Sequence, residues 1–116
     1  MNNTEDSIAN FINALIGLTE RGEIAWKKLA AAAYAVDLQN EGVKGRVTLQ
    51  RARRSPTRPY DYILRVQNAQ PPEIVLHVDS SERVAYFTIL DTLFEKLEYN
   101  VNEKSIQFIN KLIKDK

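Results

Sequence analysis

Between Tyr34 and Ile89 apolar and polar residues alternate in short runs, each closed by a turn signal, and this period of two limits the chain to a sheet-based fold. Tyr34, Val36 and Leu38 alternate with Ala35 and Asp37, and Val47 and Leu49 alternate with Arg46, Thr48 and Gln50. Tyr60, Tyr62, Leu64 and Val66 share one parity, as do Ile74, Leu76 and Val78. Val84 to Ile89 forms an aromatic, β-rich run that closes the series. The connections are polar: residues 39–45, 54–59 and 68–72 carry glycine or proline, and Ser80-Ser-Glu82 is a tight link. Five strands joined in order by such short loops predict an antiparallel meander, with one apolar face that must be covered.

The flanks supply the cover. Ile8, Phe11, Ile12, Leu15 and Leu18 recur every three or four residues and predict a helix from about Glu5 to Arg21. Thr4 is its expected N-cap, Glu5 and Asp6 suit the helix dipole, and Arg21-Gly22 ends it. At the other end, Thr88 and Asp91 have capping-box spacing ahead of Leu90, Leu93, Phe94 and Leu97. A second helix start falls at Asn102, with Val101 and Ile106 placed as a hydrophobic staple ahead of Ile109, Leu112 and Ile113. Residues 27–33 carry both signals. Ile24 and Trp26 are spaced as in an extended segment with Trp26 packed inward, while Lys27 to Ala33 has high helix propensity. The expectation is one α+β domain over residues 1–116: an N-terminal helix, a five-stranded antiparallel meander and two short C-terminal helices on one face.

This order of features, with Leu18-Thr-Glu-Arg-Gly-Glu-Ile-Ala-Trp26, Tyr62-Ile-Leu-Arg-Val66, Ile74-Val-Leu-His-Val-Asp79 and a leucine-rich helix after Phe87, resembles that of short bacterial proteins to which no activity is attached. The resemblance implies the helix–sheet–helix layout and no function.

Several chemistries lack their residues. The chain has no cysteine, which removes disulfides, thiolate metal sites and a cysteine nucleophile. The N-terminus lacks the basic start and apolar run of a secretory signal, and the longest apolar run, Leu29 to Val36, is far short of a membrane span. A cytoplasmic protein without membrane contact is expected. There is no phosphate-binding glycine loop and no Gly-x-Ser-x-Gly elbow. His77 is the single histidine, and its parity places it on the polar side of its strand. No catalytic residue, cofactor or metal is assigned, and an enzyme is not expected.

Charge is distributed unevenly. Gly42 to Val66 holds seven basic residues against the single acid Asp61, while the rest of the chain is acidic on balance. Arg46, Arg51, Arg53, Arg54 and Arg58, with Tyr60 and Tyr62 following, form a candidate surface for single-stranded nucleic acid or phosphate, because guanidinium forks grip phosphate and tyrosines stack on bases. Three other readings stand beside it: a charged edge that blocks strand addition, pairing with the protein's own acidic helices, and tyrosines that face the core, since Tyr60 and Tyr62 share parity with Leu64 and Val66. Trp26 and Phe108 do not fit cleanly into these stripes and are the candidate interface residues, the other reading being that both complete the core. The leading expectation is a non-enzymatic interaction or adaptor module whose partner is another protein or a second copy of the chain. Nucleic-acid or phosphate binding through residues 44–65 is the alternative.

Overall fold

The computed structural model describes residues 3–52 and 60–114, with side chains throughout except at 3–5 and 100–106. Helix α1 (Asn3–Glu20) is followed by strands β1 (Lys27–Ala30), β2 (Ala33–Asn40), β3 (Val43–Ala52), β4 (Asp61–Asn68) and β5 (Glu73–Asp79). A 3₁₀ turn at Val84–Tyr86 leads into helix α2 (Phe87–Lys114). The strands pair antiparallel in the order β1-β2-β3-β4-β5, a five-stranded meander. The α+β class and the helical cover on a meander are as the sequence predicts.

Two strand assignments change. Val84–Ile89 is no strand but the 3₁₀ turn and the first residues of α2. Its aromatic residues serve the helix–sheet contact: Tyr86 is buried and Phe87 packs on Tyr60 and Tyr62. The fifth strand is β1, which settles residues 27–30 as extended. Lys27 and Lys28 pair with Ala35 and Tyr34, and a register shift precedes Ala30. Alanine's helix propensity yields here to hairpin pairing with β2, as local preference does when tertiary contacts compete. The C-terminal cover is one continuous helix of 28 residues, so the second start at Asn102 is absent from the backbone. The side chains of the Val101/Ile106 staple lie outside the described residues. Thr88 and Asp91 form no capping box either. Thr88 lies within α2, its carbonyl accepting from Thr92 Oγ1 (3.0 Å), and Asp91 reaches a sheet tyrosine. Helix α1 is already helical at Asn3, one residue ahead of the expected cap at Thr4.

The covered face of the sheet follows the period-two pattern. Tyr34 and Val36 on β2, Val47 and Leu49 on β3, Tyr62 and Leu64 on β4 and Val78 on β5 are buried together with Ile12 and Leu15 of α1 and Leu90, Leu93, Phe94 and Leu97 of α2. Trp26 is half-buried against this core. Its indole N–H donates to Thr19 Oγ1 (3.0 Å), whose hydroxyl donates to the Leu15 carbonyl (2.7 Å), so the tryptophan fastens the α1–β1 link to the end of α1. At the far end, Ser80 Oγ donates to the buried Asp61 (2.9 Å) and accepts from the Tyr62 amide (2.8 Å), tying the end of β5 to the start of β4.

The β2–β3 hairpin turns on two residues, Glu41 (φ 52°) and Gly42 (φ 80°), between the paired Asn40 and Val43. Left-handed geometry at both central positions is that of a type I′ turn, which favours Asn-Gly. Glutamate tolerates it poorly, since its Cβ crowds the following carbonyl. Replacing Glu41→Asn is expected to raise stability by about 0.5–1 kcal/mol, read as a higher thermal midpoint. An unchanged or lower midpoint would count against this reading of the turn.

Candidate functional site

The geometry of α2 decides what the molecule exposes. The Tyr62 hydroxyl on β4 donates to Asp91 Oδ1, and the Tyr34 hydroxyl on β2 donates to Glu98 Oε2 (2.7 Å). Lys28 of edge strand β1 also approaches Glu98 (3.8 Å). From Asp91 to Glu98 the helix rises about 10 Å, and from β4 to β2 the sheet spans two strand spacings, also about 10 Å. Helix α2 therefore crosses the strands and moves toward the β1 edge. The whole helix is about 42 Å long, while five strands are only about 19 Å across. It passes the edge near residue 101 and continues for about 20 Å beyond it. The radius of gyration, 16.0 Å, reflects this overrun, since a compact domain of this length would measure about 13 Å.

The apolar stripe of α2 does not stop where the sheet does. Leu90, Leu93, Phe94 and Leu97 are buried at helical spacing. Phe108 lies fourteen residues beyond Phe94 and so returns to within about 40° of the same face, and Leu112 follows one turn later. Phe108 is 63% exposed, Ile109 50%, Leu112 55% and Ile113 65%. Every side chain from 107 to 114 is exposed. These four form a continuous apolar strip on the projecting half of the helix.

The arginines are placed differently from one another. Arg46 lies on the open face of β3, opposite Asp37, with Nε–H donating to Oδ1 (2.7 Å) and a second bond to Oδ2 (3.1 Å). The Asp37 carboxyl is accordingly held below its ordinary range, chiefly by that hydrogen bond. Arg51 has the parity of Val47 and Leu49 and turns to the covered face, where its guanidinium lies 4.6 Å from the Phe94 ring and 4.9 Å from the Tyr60 ring. Arg46 and Arg51 thus stand on opposite sides of the sheet, one paired with an acid and one packed on aromatics. Arg53, Arg54 and Arg58 lie outside the described residues. Tyr60 and Tyr62 are also on the covered face, stacked and tilted against Phe87. They do not form an open stacking platform.

The open face holds His77, exposed on β5 opposite Arg65, whose Nε–H donates to His77 Nδ1 (3.2 Å). The partner this geometry gives His77 is thus a guanidinium. An open groove of about 530 Å³ at the hairpin end is lined by Asp37, Lys44, Gly45, Arg46, Gln67 and Asn68, among others, and its Asp37 and Arg46 are already bonded to each other. Among the described residues, no three His, Cys, Asp or Glu side chains are grouped to hold a metal ion, and no helix is long and apolar enough to cross a membrane.

Of the two candidate interface residues, Trp26 is taken up by the core and Phe108 is presented to solvent. The carboxylate–tyrosine pairs escaped the sequence reading. Their signal is the seven-residue spacing of Asp91 and Glu98, two turns of helix that match two strand spacings. No protein-family model, no curated protein and no solved structure matches this chain.

Proposed function

We propose that this protein is a non-enzymatic interaction module in which the sheet and α1 form a scaffold and the projecting half of α2 is the docking element. The observation that carries this reading is the continuation of a core-forming stripe, on the same helical face, into a segment where Phe108, Ile109, Leu112 and Ile113 are all at least half exposed. Apolar strips of this kind, flanked by polar residues, mark contact surfaces rather than ordinary solvent-facing helix. An amphipathic helix presenting anchors at i, i+1, i+4 and i+5 suits a groove or another helix. The open face of the sheet, with its paired charges, is the contrasting surface.

The reading is tested with a photoreactive phenylalanine analogue at position 113, compared with the same group at position 50 on the open sheet face, in cells that make the protein. Discrete covalent adducts to protein are expected from 113 and not from 50, and they disappear in a Phe108→Asp, Leu112→Asp background. An absence of discrete adducts at 113, or an identical pattern at both positions, would overturn it.

A further inference from the structure

We infer that the open face of the sheet, at the end carrying the β2–β3 hairpin, binds the phosphate ester of a polyhydroxylated small molecule, such as a sugar phosphate. The inference is independent of the docking role of α2, which packs on the other face of the sheet.

Strand parity sends Asp37, Lys44, Arg46, Arg65, Gln67 and His77 to this face, and all six are exposed. Asp37 fixes the Arg46 guanidinium with two hydrogen bonds. Arg65 spends only its Nε–H, on His77 Nδ1, and its two terminal nitrogens and the Lys44 ammonium have no acid partner among the described residues. An accepting Nδ1 puts the histidine proton on Nε2, which is one more donor. The Asp37 carboxyl, held down first by its Arg46 hydrogen bond, also feels the charge of Lys27 on β1. Four cations therefore surround one acid. The other acid of this parity, Asp79, sits at the far end of the face and accepts from the Ser81 amide and hydroxyl. Glu41 in the hairpin turn and Glu73 at the start of β5 form no ion pair with these cations. Arg46 and Arg65 are diagonal neighbours on adjacent strands, with backbones about 7–8 Å apart, so both side chains can reach one oxyanion. Guanidinium forks with a lysine beside them suit a phosphate group, which offers several acceptor oxygens.

The adjoining groove of about 530 Å³ takes the rest of the molecule. Its lining falls in three adjacent cross-strand rows. Asp37–Arg46–Gln67 and Gln39–Lys44 have the open parity, and Leu38–Gly45–Asn68 lies between them with the other. The side chains of the outer rows thus wall the groove, and the backbone of the middle row is its floor. Arg65, two residues before Gln67, stands at its mouth. The Gln39 and Gln67 amides each offer donors and an acceptor, and the Asp37 carboxylate keeps lone pairs beyond those that Arg46 uses, a set that matches sugar hydroxyls. No aromatic ring is among the described lining residues, so a nucleobase would have nothing to stack on. The walls are solvated side chains, and a dissociation constant of about 0.1–1 mM is expected.

Amide NMR shifts of the isotope-labelled full chain, titrated at constant ionic strength with glucose 6-phosphate, inorganic phosphate and glucose, test this. Glucose 6-phosphate should give saturable shifts centred on residues 37–46 and 65–69, half-complete at or below about 1 mM. Inorganic phosphate should bind the same residues at least threefold more weakly, and glucose alone should not saturate. Lys44→Gln with Arg65→Gln should raise the half-saturation concentration at least tenfold while leaving the thermal midpoint unchanged. Lys111→Gln, on the projecting part of α2, should bind as the wild type does. The absence of saturable shifts with glucose 6-phosphate up to about 20 mM would overturn the inference. So would wild-type binding by the Lys44, Arg65 double variant, or an equal loss in Lys111→Gln. Inorganic phosphate binding as tightly as the sugar phosphate would overturn the assignment of the groove to a hydroxylated ligand.

Discussion

Replacing Phe94 by alanine is expected to lower the free energy of unfolding by about 3–5 kcal/mol, whereas the same change at Phe108 should move it by less than about 0.5 kcal/mol in dilute protein. The two residues are the same type, on the same helix and nearly the same face. Phe94 is 1% exposed and its ring meets Tyr34 and Tyr62 at 5.5 Å and the Arg51 guanidinium at 4.6 Å. Its removal leaves a cavity at the centre of the helix–sheet contact, and it also strips the half-buried Arg51 of an aromatic partner. A domain of this size has about 5–15 kcal/mol in total, so this variant should be close to unfolded at physiological temperature. Phe108 touches solvent on most of its surface, and alanine there gives up little. Urea denaturation of both variants in dilute protein makes the comparison, and equal losses would show that the end of α2 packs on the body.

The second large effect is alkaline unfolding. Burial, followed by the hydrogen bond and the negative charge of Glu98, raises the Tyr34 phenol far above its ordinary value, and burial with Asp91 does the same to Tyr62. Arg51 opposes both shifts without reversing them. A group that holds its proton more tightly when folded contributes its full stability below the unfolded value, near pH 10, and loses it as pH rises toward the folded value. Above about pH 10 the unfolded chain has released both protons and the folded chain has not. Stability should therefore fall by up to about 2.7 kcal/mol per pH unit from this pair. Urea midpoints measured between pH 8 and 12 should drop steeply in the wild type. The Tyr34→Phe, Tyr62→Phe double variant should be less stable at pH 8, because two carboxylates lose their donor, and should show a shallower slope above pH 10. Parallel slopes in the two proteins would remove the tyrosines as the cause.

Much of this fold is legible in the chain itself, and the exceptions have physical causes. Strands β2 to β4 can be read because Tyr34, Val36, Val47, Leu49, Tyr62 and Leu64 fall at even spacing on the covered face, although Ala35, Asp61 and Ile63 are buried on the opposite parity; in β5 Val78 is buried and Ile74 exposed. Strand β1 cannot be read in this way. All four of its residues are exposed, so it has no burial pattern and exists by virtue of its hairpin with β2. The misassigned run at 84–89 is β-rich because its aromatics must reach the sheet, and a 3₁₀ turn delivers them as well as a strand would. The arginine-rich segment looked uniform as a string, but strand parity sends Arg46 and Arg51 to opposite faces. Phe108, which does not fit the stripes in the sequence, is 63% exposed on the projecting part of α2.

The two carboxylate–tyrosine bonds also act as a ruler. A helix lying across strands could slide along its axis, and one helical turn, about 5.4 Å, is close to one strand spacing, about 4.8 Å. A slip of one turn would carry Asp91 and Glu98 off the tyrosine-bearing strands, leave four polar groups without partners, and take Phe94 from its place against Tyr34 and Tyr62. The helix is thus fixed lengthwise by its acids together with Phe94. How far the arm reaches past the sheet is consequently set by where Asp91 and Glu98 sit, and whole turns could be added or removed after Glu98 to change that reach without disturbing the body beneath.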